Sequence, residues 1–324
     1  MNIFSIVVPV FQNAKNLPSS MSELLSLKGE LTDWQFELVF VDDGSTDDSY
    51  CIISEFAERN PEYVKVIKLT RNFGQNPAIQ AGLQYAKGDC VGIISADLQE
   101  PCEIFVDMIK AWEQGAKFVV GERKERDESW MRRIVSGFFW KLIKKTTFPN
   151  LPNKGYDFCL LDRQLVNDIN KINEKNSPIF ILLYWFGYKP VCIPIKRNKR
   201  EVGRSQWSLF QKLKLTIDTL IGFTYLPSRV ITLMSLAAST VSILYLMFLI
   251  YIWYSSGNAP IGWMTTTGLL LLMGSFILFA LGIISEYLLR ILDESRKRPP
   301  YVVDKINESQ LESITKKNVE SDTK

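Results

Sequence analysis

Ser95-Ala96-Asp97-Leu98-Gln99 follows directly on the apolar run Cys90–Ile94, so a carboxylate and, two residues on, an amide stand at the end of a buried strand. Both are hard oxygen donors. Such a pair suits a divalent cation, Mg²⁺ or Mn²⁺, whose shell is completed by diphosphate oxygens and water. A cation held there neutralises the charge that builds on a leaving diphosphate. Taken alone, an Asp at a strand end is more often a turn former, so the reading leans on two other places. Upstream, Phe36–Val41 runs into Asp42-Asp43-Gly44-Ser45, where Asp43 can face a ligand crevice and accept N–H donors from a nucleobase. The other use of an Asp there, capping the next helix, suits Asp47 and Ser45 better. After a third apolar run, Val64–Leu69, comes Arg71-Asn72-Phe73-Gly74. Gly74 permits a tight loop, and Arg71 can approach a base or a phosphate.

The 324-residue chain has no histidine, which removes His-based triads and His-ligated zinc and leaves carboxylates and amides for acid–base or metal work. Its five cysteines are odd in number and show no C-x-x-C pairing, so they read as reduced, mostly buried thiols. The N-terminus lacks the basic segment of a signal peptide.

Elements must bring these residues together. Strands are expected at Ile3–Val10, Phe36–Val41, Val64–Leu69, Cys90–Ile94 and Lys117–Val120. Helices are expected at Leu17–Leu27, Ser49–Arg59, Asn76–Ala86 and Glu103–Gln114. This alternation implies an α/β fold with a doubly wound, mostly parallel, Rossmann-like sheet. Ligands of such sheets bind at the carboxyl ends of the strands, where Asp43, Arg71 and Asp97 fall. Basic, aromatic Trp130–Lys145 reads as a further helix, and Ser208–Phe223 as an interfacial amphipathic one.

Val230–Tyr254 and Ile261–Ile284 contain no charged residue, and each is long enough to cross the ~30 Å hydrocarbon core of a bilayer. Lys196, Arg197, Lys199, Arg200, Arg204, Lys212, Lys214 and Arg229 precede the first stretch, and Arg290, Arg296, Lys297 and Arg298 follow the second. The connecting Ser255–Pro260 has no charge. This bias predicts two spans with both termini cytoplasmic and the short loop outside. Arg123, Arg132 and Arg133 beyond the metal motif, with Arg197, Arg200 and Arg204 before the membrane, are suitable partners for an anionic lipid phosphate. The expected layout is a cytosolic catalytic domain over 1–207, an amphipathic helix over 208–229, a two-helix hairpin over 230–289 and a cytosolic tail over 290–324, polar and disordered after Asn307.

In this order the motifs resemble the family 2 glycosyltransferases of the GT-A type, in particular the polyprenyl-phosphate glycosyltransferases. The resemblance covers about residues 3–301. It runs through Val8-Pro9-Val10-Phe11, Val41-Asp42-Asp43-Gly44-Ser45, Arg71-Asn72-Phe73-Gly74, Ala96-Asp97-Leu98-Gln99, Asp157-Phe158 and Arg197-x-x-Arg200-x-x-Gly203-x-Ser205. It implies inverting transfer of one sugar from a nucleotide-sugar, a UDP-sugar ahead of a GDP-sugar, to polyprenyl (undecaprenyl) phosphate at the cytoplasmic face of a bacterial plasma membrane. By the same resemblance Pro9, Phe11, Asp43, Arg71, Asp97, Arg200 and Ser205 bind the donor. Asp97 and Gln99 hold Mg²⁺ or Mn²⁺, and Arg123, Arg132, Arg133 and Ser136 hold the lipid phosphate. Asp157 occupies the acidic position near the acceptor and, with Asp97, counts as catalytic. The expected partners are donor, acceptor, bilayer and further copies of the chain, a tetramer by resemblance, with no nucleic acid.

Three places depart from the pattern. Ser95 stands where Asp is frequent, Gln12-Asn13 replaces Asn-Glu, and Cys159 takes the place of a common Arg. Two other readings stay open. A processive polysaccharide synthase would carry Gln-x-x-Arg-Trp and a larger bundle of spans, and the chain has neither. A catalytically silent membrane scaffold would show no metal-dependent transfer.

Overall fold

Ile3–Val10 is apolar on both faces, as a strand covered by helices on each side must be, and it forms β1 in the interior of the sheet. The computed structural model describes residues 1–123, 157–172, 178–195, 226–256 and 262–307. The chain divides into two compact units, Met1–Lys212 with Pro299–Lys324, and Leu213–Arg298. In the first unit β2 (Gln35–Asp42), β3 (Val64–Leu69) and β4 (Cys90–Ile93) join β1 in a parallel core, β4 and β2 flanking β1. The connections carry α1 (Leu17–Glu30), α2 (Ser49–Arg59) and α3 (Gln75–Tyr85), and α4 (Ile104–Glu113) follows β4. Then come β5 (Phe118–Arg123), β6 (Cys159–Asp162), α5 (Arg163–Asn170), α6 (Ile179–Trp185) and β7 (Val191–Ile195). A last strand, β8 (Val303–Asn307), arrives after the second unit. The order across the sheet is β7-β5-β6-β4-β1-β2-β3-β8.

Every element expected from the sequence in this unit's described residues is present within a few residues. Strands β6, β7 and β8 were not anticipated, and they change the sheet from mostly parallel to mixed: β4–β6, β5–β6 and β3–β8 are antiparallel. The helix expected over Trp130–Lys145, the amphipathic Ser208–Phe223 and the tail after Asn307 lie outside the described residues. Of the cysteines, Cys90, Cys102 and Cys159 are buried, whereas Cys51 and Cys192 are exposed.

The alternation of β1 sorts its side chains. Phe4, Ile6, Val8 and Val10 enter a core with Leu24 and Leu27 of α1, Ile53 of α2 and Phe105 of α4. Phe105 meets Phe4 edge-on at 5.3 Å and packs on Phe158 at 4.6 Å. On the other face α3 lies so close that a Cβ on Gly82 would sit 2.2 Å from Val7 Cγ1. At the strand ends opposite the motifs, Glu37 and Lys65 are buried as an ion pair at 3.6 Å. Glu37 also accepts from Ser5 Oγ (2.5 Å) and the Lys87 amide (2.9 Å), and Lys65 donates to the Tyr85 carbonyl (3.0 Å). These bonds clamp the turn from α3 to β4 to the base of the sheet.

The second unit contains α7 (Leu226–Ser256) and α8 (Trp263–Ser295). Their 31 and 33 residues rise about 46 and 50 Å at ~1.5 Å per residue. Both are long and apolar enough to cross a membrane, and their most apolar windows are wholly unburied. Leu233, Leu236, Leu244, Phe248, Leu272 and Phe279 are among the large side chains they expose. An apolar surface of that extent suits lipid rather than water.

Candidate active site

The ladder between β1 and β4 ends at Val7 and Ile93, with the Ile94 amide donating to the Val7 carbonyl at 3.1 Å, whereas β1 and β2 stay paired to Val10 and Asp42. Pro9 shares Val7's parity, so its nitrogen faces the β4 side beyond the end of that ladder, where a missing N–H costs no bond. The chain winds outward from β1 in one direction and from β4 in the other. This is the switch point at which such sheets bind ligands.

Two loops are knitted together over β1 and β2. Gln12, at φ 48°, donates its amide to Ser45 Oγ (3.1 Å) and its side chain to Thr46 Oγ1 (3.2 Å). The Asn13 amide reaches Ser49 Oγ (2.9 Å), and the Ala14 amide reaches Asp47 Oδ2 (3.2 Å). Asp47 also accepts from the Ser49 amide, but the N-cap of α2 is Asp48, whose side chain makes no capping bond, and Ser45, expected with Asp47 to cap the helix, serves the β1 loop instead. Gln12, one of the departures from the family pattern, is thereby turned toward its neighbouring loop.

Asp43 binds a third loop. Its carboxylate oxygens accept the amides of Phe73 (2.7 Å) and Gly74 (2.8 Å). Gly44, at φ +67°, packs so tightly against the same loop that a Cβ would lie 2.4 Å from the Arg71 carbonyl carbon. Burial pushes the Asp43 carboxyl up to about 6, and adjacent Asp42 adds to the rise, against the two amides and Arg71, which lower it. Burial likewise raises Asp42, whose oxygens accept from the Ser45 amide. Exposed Arg71 lays its guanidinium over the Phe73 ring at 4.1 Å, an aromatic-backed cation at the rim.

Across the switch point, β4 runs into a turn closed by the Leu98 amide on the Ser95 carbonyl (3.1 Å), with Leu98 at φ 40°. Ser20 Oγ pins it by donating to the Ala96 carbonyl (2.8 Å). Ser95 Oγ lies 2.8 Å from Asp97 Oδ1 and 3.1 Å from Glu100 Oε2. Half-buried Asp97, buried Gln99 and buried Glu100 thus gather hard oxygen donors within one turn, a set that suits Mg²⁺ or Mn²⁺. Glu100 escaped the sequence reading; its signal was a carboxylate one residue beyond the Asp97/Gln99 pair. A second cluster, Glu23, Cys102 and Glu103, is a poorer cation site. The Cys102 thiol points at Glu23 (3.7 Å), and burial pushes it up to about 12, so it stays protonated at neutral pH.

Residues 5–169 match the model of glycosyl transferase family 2. Along almost its whole length the chain is similar to an uncharacterized glycosyltransferase, YkcC, of Bacillus subtilis, 32% identical over 93% of both chains. It is likewise 32% identical to the bactoprenol glucosyl transferase of Shigella phage SfV, over 92% of this chain and 97% of that one. The chain belongs to glycosyl transferase family 2. Among solved structures, the mannosyl-3-phosphoglycerate synthase of Rubrobacter xylanophilus aligns over 67% of this chain and 71% of its own, with a TM-score of 0.48 and 16% identity.

The remaining positions of this glycosyltransferase can be placed by strand. Asp157, half-buried, stands two residues before Cys159, which pairs with Ile93, so it enters β6 at the edge where β4 delivers Asp97. Arg123 ends β5 at the same edge, since Val120 pairs with Cys159. Pro9, Phe11, Asp43, Arg71, Asp97, Gln99, Arg123 and Asp157 therefore share one edge of one sheet. Cys159 is fully buried in β6, which removes it from any anion contact. Arg132, Arg133, Ser136, Arg200 and Ser205 lie outside the described residues.

Proposed function

We propose that this glycosyltransferase moves a single sugar from a nucleotide-sugar, a UDP-sugar ahead of a GDP-sugar, to polyprenyl phosphate at the cytoplasmic face of a bacterial plasma membrane. The observation that carries the reading is the extent of the likeness to bactoprenol glucosyl transferases: it spans 92% of the chain, so it includes the apolar helices as well as the sheet.

In this reading the loops gripped by Asp43 and Gly44 cradle the nucleoside, with Arg71 on Phe73 at its rim. Asp97 and Gln99, with Glu100 beside them, hold Mg²⁺ or Mn²⁺. A cation held there would offset the charge on the departing diphosphate. At neutral pH the acceptor phosphate is largely a dianion, its second pKa being near ~6, so it can attack without first losing a proton. A phosphate oxygen bonds to the anomeric carbon as the bond from that carbon to the nucleoside diphosphate breaks, with inversion. No histidine is needed. The remaining problem is to bring two anions together, and Arg123, Arg132, Arg133 and Ser136 on the acceptor and Arg200 and Ser205 on the diphosphate answer it. Asp157 orients the acceptor.

The basic residues flanking both apolar helices support cytoplasmic termini, with Trp253, Tyr254 and Trp263 near the far interface. Two spans bury little surface in lipid, and we place the enzyme in a homo-oligomer, a tetramer by its resemblance. The test is transfer by purified protein from a panel of UDP- and GDP-sugars to undecaprenyl phosphate, with Mg²⁺ or Mn²⁺. Product with one donor establishes the reaction, and none with any donor refutes it.

A further inference from the structure

The loop from Thr70 to Gly74 is held at both ends, and its second holder lies far away in sequence. At its far end Asp43 takes the amides of Phe73 and Gly74. At its near end the Thr70 amide donates to the Val302 carbonyl at 3.0 Å. Val302 leads into β8, which pairs Val303 with Leu69 through a register shift between Lys68 and Leu69. One residue earlier, half-buried Tyr301 is hydrogen-bonded through its hydroxyl to Gln84, in the last turn of α3. The strand that follows the second apolar helix thus reaches into the frame of the loop that carries Arg71 and Phe73.

We propose that Tyr301–Val303 is a positioning element of the donor site, fixing the near end of the Thr70–Gly74 loop so that Arg71 and Phe73 meet the nucleotide already in place. A loop fixed at both ends has already surrendered the conformational freedom that a loop held at one end must give up on binding. Donor affinity therefore depends on a segment outside residues 5–169, the stretch that matches the family model. The inference rests on the reading of this loop as nucleotide-binding.

The test uses the full-length membrane protein. Replacing the segment by Tyr301→Gly, Val302→Gly and Val303→Gly together is expected to raise the donor KM and the Kd for UDP about tenfold, leaving the KM for undecaprenyl phosphate unchanged. Tyr301→Phe, which keeps the strand and loses the Gln84 bond, is expected to raise the donor KM two- to threefold. Asp304→Ala, on the same strand but away from the loop, removes the ion pair to Lys68 (4.0 Å) and should change thermal stability without changing either KM. A triple variant that binds UDP like the parent, or loses donor and acceptor KM together, overturns the proposal. If the triple variant does not fold, an unchanged donor KM in Tyr301→Phe overturns it instead. A parent protein that transfers sugar and binds nucleotide while these variants stay unaffected refutes this inference alone. A parent that does neither refutes the functional reading, and this one with it.

Discussion

Asp43→Asn separates the carboxylate's two effects, because they oppose one another. Asp43 is only 3% exposed, and its carboxyl is pushed from 3.8 to about 6, chiefly by burial. At about 1.4 kcal/mol per pH unit, that displacement is worth roughly 3 kcal/mol. The folded state binds this proton more tightly than the unfolded chain. The group's contribution is therefore fully present below 3.8 and lost as pH rises through about 6. At pH 7 the native protein carries a desolvated charge. Asparagine removes it but can accept only one of the two amides, turning its own N–H₂ toward the other and losing a charge-assisted bond worth roughly 1.5–3 kcal/mol. The two terms nearly cancel. The variant should unfold at pH 7 within about 4 °C of the parent, taking roughly 2–4 °C per kcal/mol for a unit of this size. Its stability should also change less with pH between 4 and 7. Donor binding should behave otherwise. With Phe73 or Gly74 released, the donor KM should rise at least tenfold at pH 7. In the parent it should rise as pH falls through about 6, where a protonated Asp43 is the weaker acceptor. Thermal unfolding across pH, beside steady-state KM for donor and acceptor, reads both. A variant that loses more than about 10 °C while keeping the parent's donor KM would refute the reasoning, since Asp43 would then be a structural anchor alone.

Asp97→Ala should lose far more turnover than Ser95→Ala, and activity should vanish in EDTA and return with Mg²⁺ or Mn²⁺; full activity in chelator sinks the metal assignment. Arg→Ala changes at Arg123, Arg132 and Arg133 should raise KM for polyprenyl phosphate more than for the donor, and equal effects would indicate a folding defect. Glu37→Ala, which removes the buried carboxylate paired with Lys65, should cost about 3–5 kcal/mol in unfolding measurements while leaving KM for both substrates unchanged in the folded fraction. In a variant without native thiols, Ser256→Cys should react with a membrane-impermeant reagent in intact cells and Ser309→Cys only after permeabilisation; the reverse would put the sheet on the side lacking nucleotide-sugars.

The strands that build the site were legible because each is a run buried on both faces, and the residues at their ends could be assigned by counting. What was missed depends on contacts between distant residues. Cys159–Asp162 is too short to announce itself, and it is a strand because β4 and β5 each offer it an edge. Val303–Asn307 mixes Asp304, Lys305 and Asn307 with two aliphatics, a composition that reads as tail until β3 pairs with it. Residues 12–14 meet 45–49 only once β1 and β2 are known to be neighbours, so the bonds of Gln12 to Ser45 and Thr46 could not be read from its departure from the family pattern. Asp43 shows the same limit. Its position at a strand end pointed to a ligand, and nothing in the local sequence announced the amides it also holds, in a loop thirty residues on.

The sheet itself bears on how the apolar helices are used. The chain leaves the α/β unit after Lys212 and rejoins it at Pro299, and β8 is hydrogen-bonded to β3 in the same sheet as β1. A folded sheet cannot be divided between the two sides of a bilayer, because the backbone groups of its ladder would have to cross the hydrocarbon unpaired. Whatever α7 and α8 do, then, the polypeptide must return to the side it left, and the number of crossings must be even. Two helices of more than 30 residues, both apolar enough to cross, satisfy that condition as a pair. The charges agree with it: Arg229 opens α7, and Glu286, Arg290, Asp293 and Glu294 lie toward the end of α8, whereas Tyr251–Ser256 and Trp263–Thr267, the ends nearest the connection, have none. Pairing of β8 with β3 thus supports a hairpin by an argument independent of hydropathy. A single crossing would require that strand to be torn from the sheet, and with it the Val302 contact at Thr70.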